Sequence, residues 1–184
     1  MTARVILLNG VSSVGKGAVA KALQRIASRP MLHVAMDAFL EMLPAAMIGA
    51  PEGYVFETTR EEGQPVTSVT GGPVLATLMR GMRGAVAALA EAGSDLIVDE
   101  VIWDAADLAD YRERLAGFDF HAVALRAPLE VIERRERQRG DRDLGLARWQ
   151  YDKVHAGMTY DLELDTAVAT PGEIAAAIKS AFGL

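Results

Sequence analysis

Short apolar runs alternate along this chain with stretches whose apolar residues recur at helical spacing. Arg4-Val5-Ile6-Leu7-Leu8-Asn9 is the first run and has the length of a strand. Apolar residues at 18, 19, 22, 23 and 26 follow with the period of a helix running to Ala27. Met31 to Met36 is a second run, read as a buried parallel strand that ends at Asp37, and Ala38 to Leu43 again looks helical until Pro44 closes it. Pro73 to Glu91 is predicted as a long helix with Val74, Leu75, Leu78, Met79, Met82, Val86 and Leu89 along one face. Gly81 and Gly84 weaken it locally and Gly93 ends it. Asp95 to Glu100, Phe118 to Leu125 and Tyr160 to Leu164 are three further strands. Helices are predicted over Asp104 to Leu115 with Asp104 as cap, from Pro128 onward, over Gly145 to Ala156 and over Pro171 to Phe182. No internal repeat is visible. Strands alternating with helices predict a three-layer α/β domain, a five-stranded parallel sheet with helices on both faces.

One stretch departs from this rhythm. From Ala45 to Pro73 the composition shifts to Gly, Pro, Thr and Glu, with Met47, Tyr54 and Phe56 interspersed. Tyr54 to Thr59 and Val66 to Thr70 are predicted to form a hairpin around Glu61-Glu62-Gly63. A connection this long in a compact domain is usually functional, and its apolar residues either pack ordinarily or line a substrate pocket.

The first strand leads directly into Gly10-Val11-Ser12-Ser13-Val14-Gly15-Lys16-Gly17 and then Ala18. Strand, glycine-framed loop and helix are the context of a phosphate-binding P-loop. Gly10 and Gly15 let the backbone curl so that successive N–H groups point inward as an anion nest, and the helix behind adds its positive end. Lys16 then reaches the outer phosphates as a point charge. The motif asks for Ser or Thr after the lysine to hold magnesium, and this chain has Gly17 and then Ala18. Asp99 and Glu100 end the third apolar run, where an acid usually partners such a loop and holds magnesium directly or through water. Asp37 ends the second run and so faces the same crevice, because ligands of open α/β sheets sit at the carboxyl ends of strands. Asp37 also reads as a helix cap, and the two roles are compatible.

Composition narrows the function. The 184 residues suggest one domain, and a hydrophobic content of 51% is enough to bury a full core. The absence of cysteine excludes disulfides and thiolate metal sites and fits a reducing cytoplasm. No apolar stretch behind a basic flank marks a signal peptide, and no run approaches membrane-spanning length. A net charge of −6 argues against a nucleic-acid partner. A homo-oligomer is compatible with all of this.

Positive charge is nevertheless concentrated between Arg126 and Arg148. Glu130–Arg134 and Glu133–Arg137 are spaced as helical ion pairs. Arg135, Arg139 and Arg142 fall on one face, where like charges need an anion; nucleotide phosphates would serve, as would Asp141 and Asp143. Arg139-Gly140-Asp141-Arg142 also marks a bend, which makes a segment of about 135–150 a candidate lid. His121 reads as a packed core histidine rather than a ligand.

Taken together, these residues resemble the chloramphenicol phosphotransferases, small P-loop kinases similar in fold to nucleotide and shikimate kinases. The resemblance runs through Ile6-Leu7-Leu8-Asn9-Gly10, Ser12-Ser13 and Gly15-Lys16, then Met36-Asp37, Glu41 to Pro44 and Ile97-Val98-Asp99. It continues through Arg139-Gly140-Asp141-Arg142, Val154-His155-Ala156-Gly157, Tyr160-Asp161 and Leu164-Asp165-Thr166. It implies transfer of the γ-phosphoryl group of ATP, with Mg2+, to a primary hydroxyl of chloramphenicol, an antibiotic-resistance activity. It further implies that Asp37 is the catalytic base, that Lys16 is the loop lysine and that Arg139 and Arg142 are lid arginines. The family's serine after the lysine is Gly17 here, which leaves waters and Asp99 to hold the metal. The stretch 45–72 matches the family poorly. Two other readings compete: a kinase of another metabolite or nucleotide sugar, in the manner of the zeta toxins, and a nucleotide-binding module without transferase activity. Gly17 favours the second, and Asp37 speaks against it.

Overall fold

The computed structural model describes residues 2–140 and 143–184. The chain begins β1 (Arg4–Asn9), α1 (Lys16–Ile26), β2 (Met31–Ala35) and α2 (Met36–Leu40). A hairpin of β3 (Tyr54–Glu61) and β4 (Gln64–Gly71) follows, then α3 (Pro73–Glu91), β5 (Asp95–Glu100) and α4 (Ala105–Arg114). The last elements are β6 (Asp119–Arg126), α5 (Leu129–Arg139), α6 (Leu146–Tyr151), β7 (Leu162–Asp165) and α7 (Pro171–Phe182).

Five strands form one parallel sheet in the order β2-β5-β1-β6-β7. Alternation along each strand divides the core into two halves. Ile6, Leu8, Ile97, Val123 and Leu125 pack on α1 and α7 through Val19, Leu23, Ile174 and Ile178. Val5, Leu7, Leu96, Val98 and Ala122 pack on α3 and α4 through Met82, Val86, Leu108 and Tyr111. The three-layer expectation is met, and each fully buried Leu or Ile contributes about 1.5–3 kcal/mol. At the amino ends of the strands, Asp95 accepts hydrogen bonds from the Arg4 amide and from the Arg4 and Arg29 guanidiniums. Burial alone would raise this carboxyl, but the two arginines hold it below the usual range.

The hairpin is longer than predicted, pairing from Tyr54↔Gly71 to Glu61↔Gln64. Its two-residue turn places Glu62 at φ 49 and Gly63 at φ 80, the left-handed pair that suits the strand twist. Several boundaries differ from expectation for identifiable reasons. Met36 opens α2, so Asp37 lies in that helix's first turn; the cap position is Ala35, with no side-chain cap. Pro128 is the cap of α5 rather than its first residue, because its ψ of 145 is still extended. The helix predicted to Ala156 stops at Tyr151, followed by turns in which His155 has φ 83 and Gly157 φ 68. Tyr160 precedes β7, whose pairing with β6 begins at Leu162. His121 is only partly buried: its ring stacks on Phe182 at 3.9 Å and Nε2 lies 2.8 Å from Asp119 Oδ1. No helix among the described residues is long and apolar enough to cross a membrane.

Candidate active site

The loop from Gly10 to Gly15 leaves the central strand at its carboxyl end. A Cβ on Gly10 would lie 2.6 Å from the Leu125 carbonyl oxygen, so only glycine lets β1 and β6 approach this closely here. Ser13 at φ 62 and Gly15 at φ 109 are both left-handed, which curls the loop into the first turn of α1. Lys16 is buried, and its Nζ donates to the carbonyls of Gly10 at 2.8 Å and Val11 at 3.2 Å. The ammonium is thereby anchored against the loop instead of swinging free. Gln150 of α6 reaches back to accept from the Ser12 amide at 2.7 Å. The spacing of residues offered no signal for that contact, which spans 138 positions.

The two acids ending β5 separate because successive side chains of a strand point to opposite faces. Asp99 turns toward α1, with Oδ1 3.9 Å from Lys16 Nζ and Oδ2 3.5 Å from His33 Nε2. A Cβ built on Gly17 would stand 3.4 Å from that same Oδ2. The carboxylate therefore sits opposite the position where a P-loop hydroxyl would be, and its hard oxygens suit a divalent cation. Glu100 turns the other way, is almost fully buried, and accepts from the Tyr111 hydroxyl at 2.6 Å. Burial pushes its carboxyl up to about 7 despite the Tyr111 hydrogen bond and the Arg83 charge. Arg83 lies 4.0 Å from Glu100 and is paired more closely with Asp107 and Asp110.

Ser12, Ser13, Gly15, Lys16, Gly17, Ala18, Asp37, Asp99, Arg135 and Arg139 all line one cleft of about 640 Å³. Gly10 and Val11 lie behind it, their carbonyls accepting from Lys16 Nζ. Asp37 enters from the first turn of α2, beyond the carboxyl end of β2. The far wall is apolar: Met36, Leu40, Tyr54, Phe56, Val69, Leu75 and Trp103. Tyr54 and Phe56 meet edge to face at 5.3 Å. The hairpin aromatics singled out in the sequence thus line the cleft, whereas His33, Trp103 and Gln150 were not anticipated there.

The stretch 144–148 is held down from two sides. Glu136, buried in α5, accepts from the amides of Gly145 at 2.8 Å and Ala147 at 2.9 Å, and Glu133 pairs with Arg148. The Glu130–Arg134 and Glu133–Arg137 pairs expected from spacing are not among the ion pairs of the described residues. On the other side, Thr67 of β4 donates its hydroxyl to the Leu144 carbonyl at 2.7 Å and its amide to Gly145. Trp149 meets Trp103 edge to face at 5.7 Å. Arg135 does not simply face the cleft as one of three like charges. It donates to Val14 O, Thr166 Oγ1 and Thr166 O, tying α5 to the loop and to the turn after β7. Arg139, the last residue of α5, lines the cleft, and Arg142 with Asp141 lies outside the described residues.

The stretch 154–160 forms a bracket behind the site. The Tyr160 hydroxyl accepts from Asn9 Nδ2 at 2.7 Å and pairs with His155 Nδ1 at 2.8 Å. Burial, helped by Arg126, pushes His155 down to about 4, so the ring is neutral, and the Tyr160 hydroxyl also donates to Met158 Sδ at 3.1 Å. Asn9 in turn exchanges hydrogen bonds with the Ile102 backbone at 2.8 and 3.1 Å, which fixes the loop that carries Trp103.

Comparison with known proteins gives this geometry a family. The model for chloramphenicol phosphotransferase-like proteins matches residues 3–183. The chain belongs to that family. A Mycobacterium tuberculosis protein provisionally named an O-phosphotransferase is 33% identical over 184 aligned positions, covering 97% of this chain and 82% of the relative. Among solved structures, the APS kinase of M. tuberculosis in complex with AMPPNP and APS superposes with a TM-score of 0.70 at 18% identity, covering 100% of this chain and 99% of the other. A tunicamycin resistance protein of Deinococcus radiodurans superposes at 0.67 with 21% identity, covering 99% and 96%. A gluconokinase of Sinorhizobium meliloti superposes at 0.63 with 13% identity, covering 99% and 92%. At such identities the structures establish the P-loop kinase fold, while the family match makes the chain a phosphotransferase, a kinase by class.

Proposed function

We propose that this chloramphenicol phosphotransferase-like protein transfers the γ-phosphoryl group of ATP to a hydroxyl of a small, uncharged, largely apolar molecule, chloramphenicol or a relative of it. The observation that carries the reading is the two-sided cleft: a P-loop with Lys16 on one side, an apolar wall on the other, and Asp37 at their junction. Among the described residues contributed to that cleft by α2, β3, β4 and α3, Asp37 alone is charged. An anionic acceptor would find no cation there, whereas an aromatic alcohol would bury its ring against Tyr54 and Phe56.

Phosphoryl transfer depends on positioning and charge neutralisation. The loop amides of residues 10–18 would cradle the phosphates, and Lys16 would neutralise the transferred group. Arg139, with Arg142, would close over the phosphates from a lid of about 135–150, while Arg135 holds that lid to the loop. The segment 45–73 would form the acceptor side of the same domain. Asp99, directly or through water, would hold Mg2+, whose chemistry is to draw charge off the β- and γ-phosphates. Asp37 would orient the acceptor hydroxyl and take its proton. A module that binds nucleotide without transfer accounts for Gly17, but it gives no use to a carboxylate at the phosphate end of an acceptor pocket.

The test is Asp37→Asn, with ATP binding and single-turnover transfer measured on the same protein and chloramphenicol among a panel of alcohols. ATP affinity is expected to stay equal or tighten slightly as a negative charge is removed. Transfer is expected to fall by roughly 10²–10⁴-fold, the contribution of a general base. Transfer at the parent rate would remove Asp37 from the chemistry, and no ATP turnover with any acceptor would favour the binding module.

A further inference from the structure

The glycine that follows Lys16 removes a metal-binding hydroxyl from the loop, and the opposite wall offers a different donor. His33 is on β2 and pairs in register with Ile97, two residues before Asp99 on the same face of the sheet. Its Nε2 is buried and has no hydrogen-bond partner. That atom stands 3.5 Å from Asp99 Oδ2, and both residues line the cleft beside Gly17. A buried imidazole nitrogen without a partner is costly unless something engages its lone pair or its proton. Two ligands each about 2.0–2.2 Å from one ion are separated by about 3.0–3.5 Å, which matches the observed span. The position also matches, since Asp99 Oδ2 is the oxygen that a side chain on Gly17 would approach.

We infer that His33 Nε2 and Asp99 Oδ2 form the protein half of a divalent-cation site, in which an imidazole replaces the loop hydroxyl that Gly17 lacks. This rests on reading the cleft as a nucleoside triphosphate site, because the nucleotide supplies the remaining ligands. The chemical consequence is selectivity. Magnesium prefers oxygen and dehydrates reluctantly, whereas imidazole suits later divalent ions, so this site favours Mn2+ over Mg2+ more than an all-oxygen site does.

The deciding measurement is pulsed electron paramagnetic resonance on the protein with Mn2+ and the β,γ-methylene analogue of ATP, which carries no nitrogen between its phosphates. Phosphorus coupling reports that the nucleotide holds the ion. Nitrogen coupling of the directly bound imidazole type is expected beside it, and it should vanish in His33→Gln while the phosphorus coupling persists. Phosphorus coupling without nitrogen coupling in the parent protein would overturn the His33 assignment and leave the nucleotide site standing. Absence of both would overturn the nucleotide site itself. Calorimetric titration adds a second readout: His33→Gln should weaken Mn2+ binding to the nucleotide complex by about tenfold, the lower end of what loss of even an outer partner costs. Mg2+ binding should weaken less, and adding Gly17→Ser to that variant should recover Mg2+ in preference to Mn2+. Equal weakening of both ions would contradict the nitrogen ligand.

Discussion

The two halves of the cleft are built in opposite ways. The phosphate side comes from one contiguous stretch, residues 10–18, with Asp99 beside it at the end of a neighbouring strand. On the proposed reading it would work with backbone amides, one lysine and a helix end. The proposed acceptor side is assembled from α2, β3, β4, α3 and the Trp103 loop, and it would work with side-chain shape. Triphosphates present the same atoms in every nucleotide, so a fixed backbone geometry recognises them. Acceptors differ in shape, and a wall of interchangeable side chains on a hairpin can follow them without disturbing the sheet.

The sharpest way to break this contrast is at Lys16. Lys16→Ala should lower transfer by about 10²–10³-fold, as loss of one charge-stabilising group does, and should weaken ATP binding while acceptor binding is unchanged. Equilibrium binding of each ligand, with circular dichroism to confirm folding, measures this. A parallel loss of acceptor affinity would mean that the halves are not separable.

On the other side, Gly145 is the clasp between α6 and the hairpin. It has φ +91, and a Cβ there would lie 2.3 Å from the Pro65 carbonyl oxygen. Gly145→Ala should cost about 2 kcal/mol and lower the melting temperature by roughly 4–8 °C. Steady-state kinetics should show a raised KM for the acceptor and an unchanged KM for ATP. If only the melting temperature moves, the clasp is scaffolding and does not shape the acceptor wall.

The smallest expected effect is at the partition between the halves. Glu100 is raised by burial to about 7 from a usual value of 4.5. A group raised in the folded state contributes stability at pH below 4.5 and loses it as pH climbs through about 7. The parent protein should therefore lose on the order of 1–3 kcal/mol from this group between pH 5 and 8. Glu100→Gln, permanently neutral and still able to accept from Tyr111, should flatten that slope. Melting temperatures of both proteins across that range decide it, and an identical slope would show that Glu100 is not its source.

Much of the phosphate side was legible in the residues. Gly10 to Lys16 announced themselves because the chemistry lies between neighbours in the chain, where spacing alone implies proximity. Asp37 and Asp99 followed from their places at the ends of apolar runs, since parallel strands deliver their carboxyl ends to one edge. The hairpin was visible as two strand-like runs around Glu61-Glu62-Gly63, although its turn proved to be Glu62 and Gly63 alone. Asp99 and Glu100 looked like a pair, yet the pleat sends one to the loop and the other into a buried network with Arg83 and Tyr111. Arg135 looked like a third cleft arginine; it lines the cleft and also brackets Val14 and Thr166. Gln150 on the Ser12 amide, Glu136 at the start of α6 and His33 beside Asp99 carried no sequence signal at all. Apolar periodicity and glycine placement thus determined the strands, the helices and the loop, because these depend on local backbone preference and on burying one face. Which polar side chains meet depends on register between strands and on packing between distant helices, and those were decided only when the layers closed on one another.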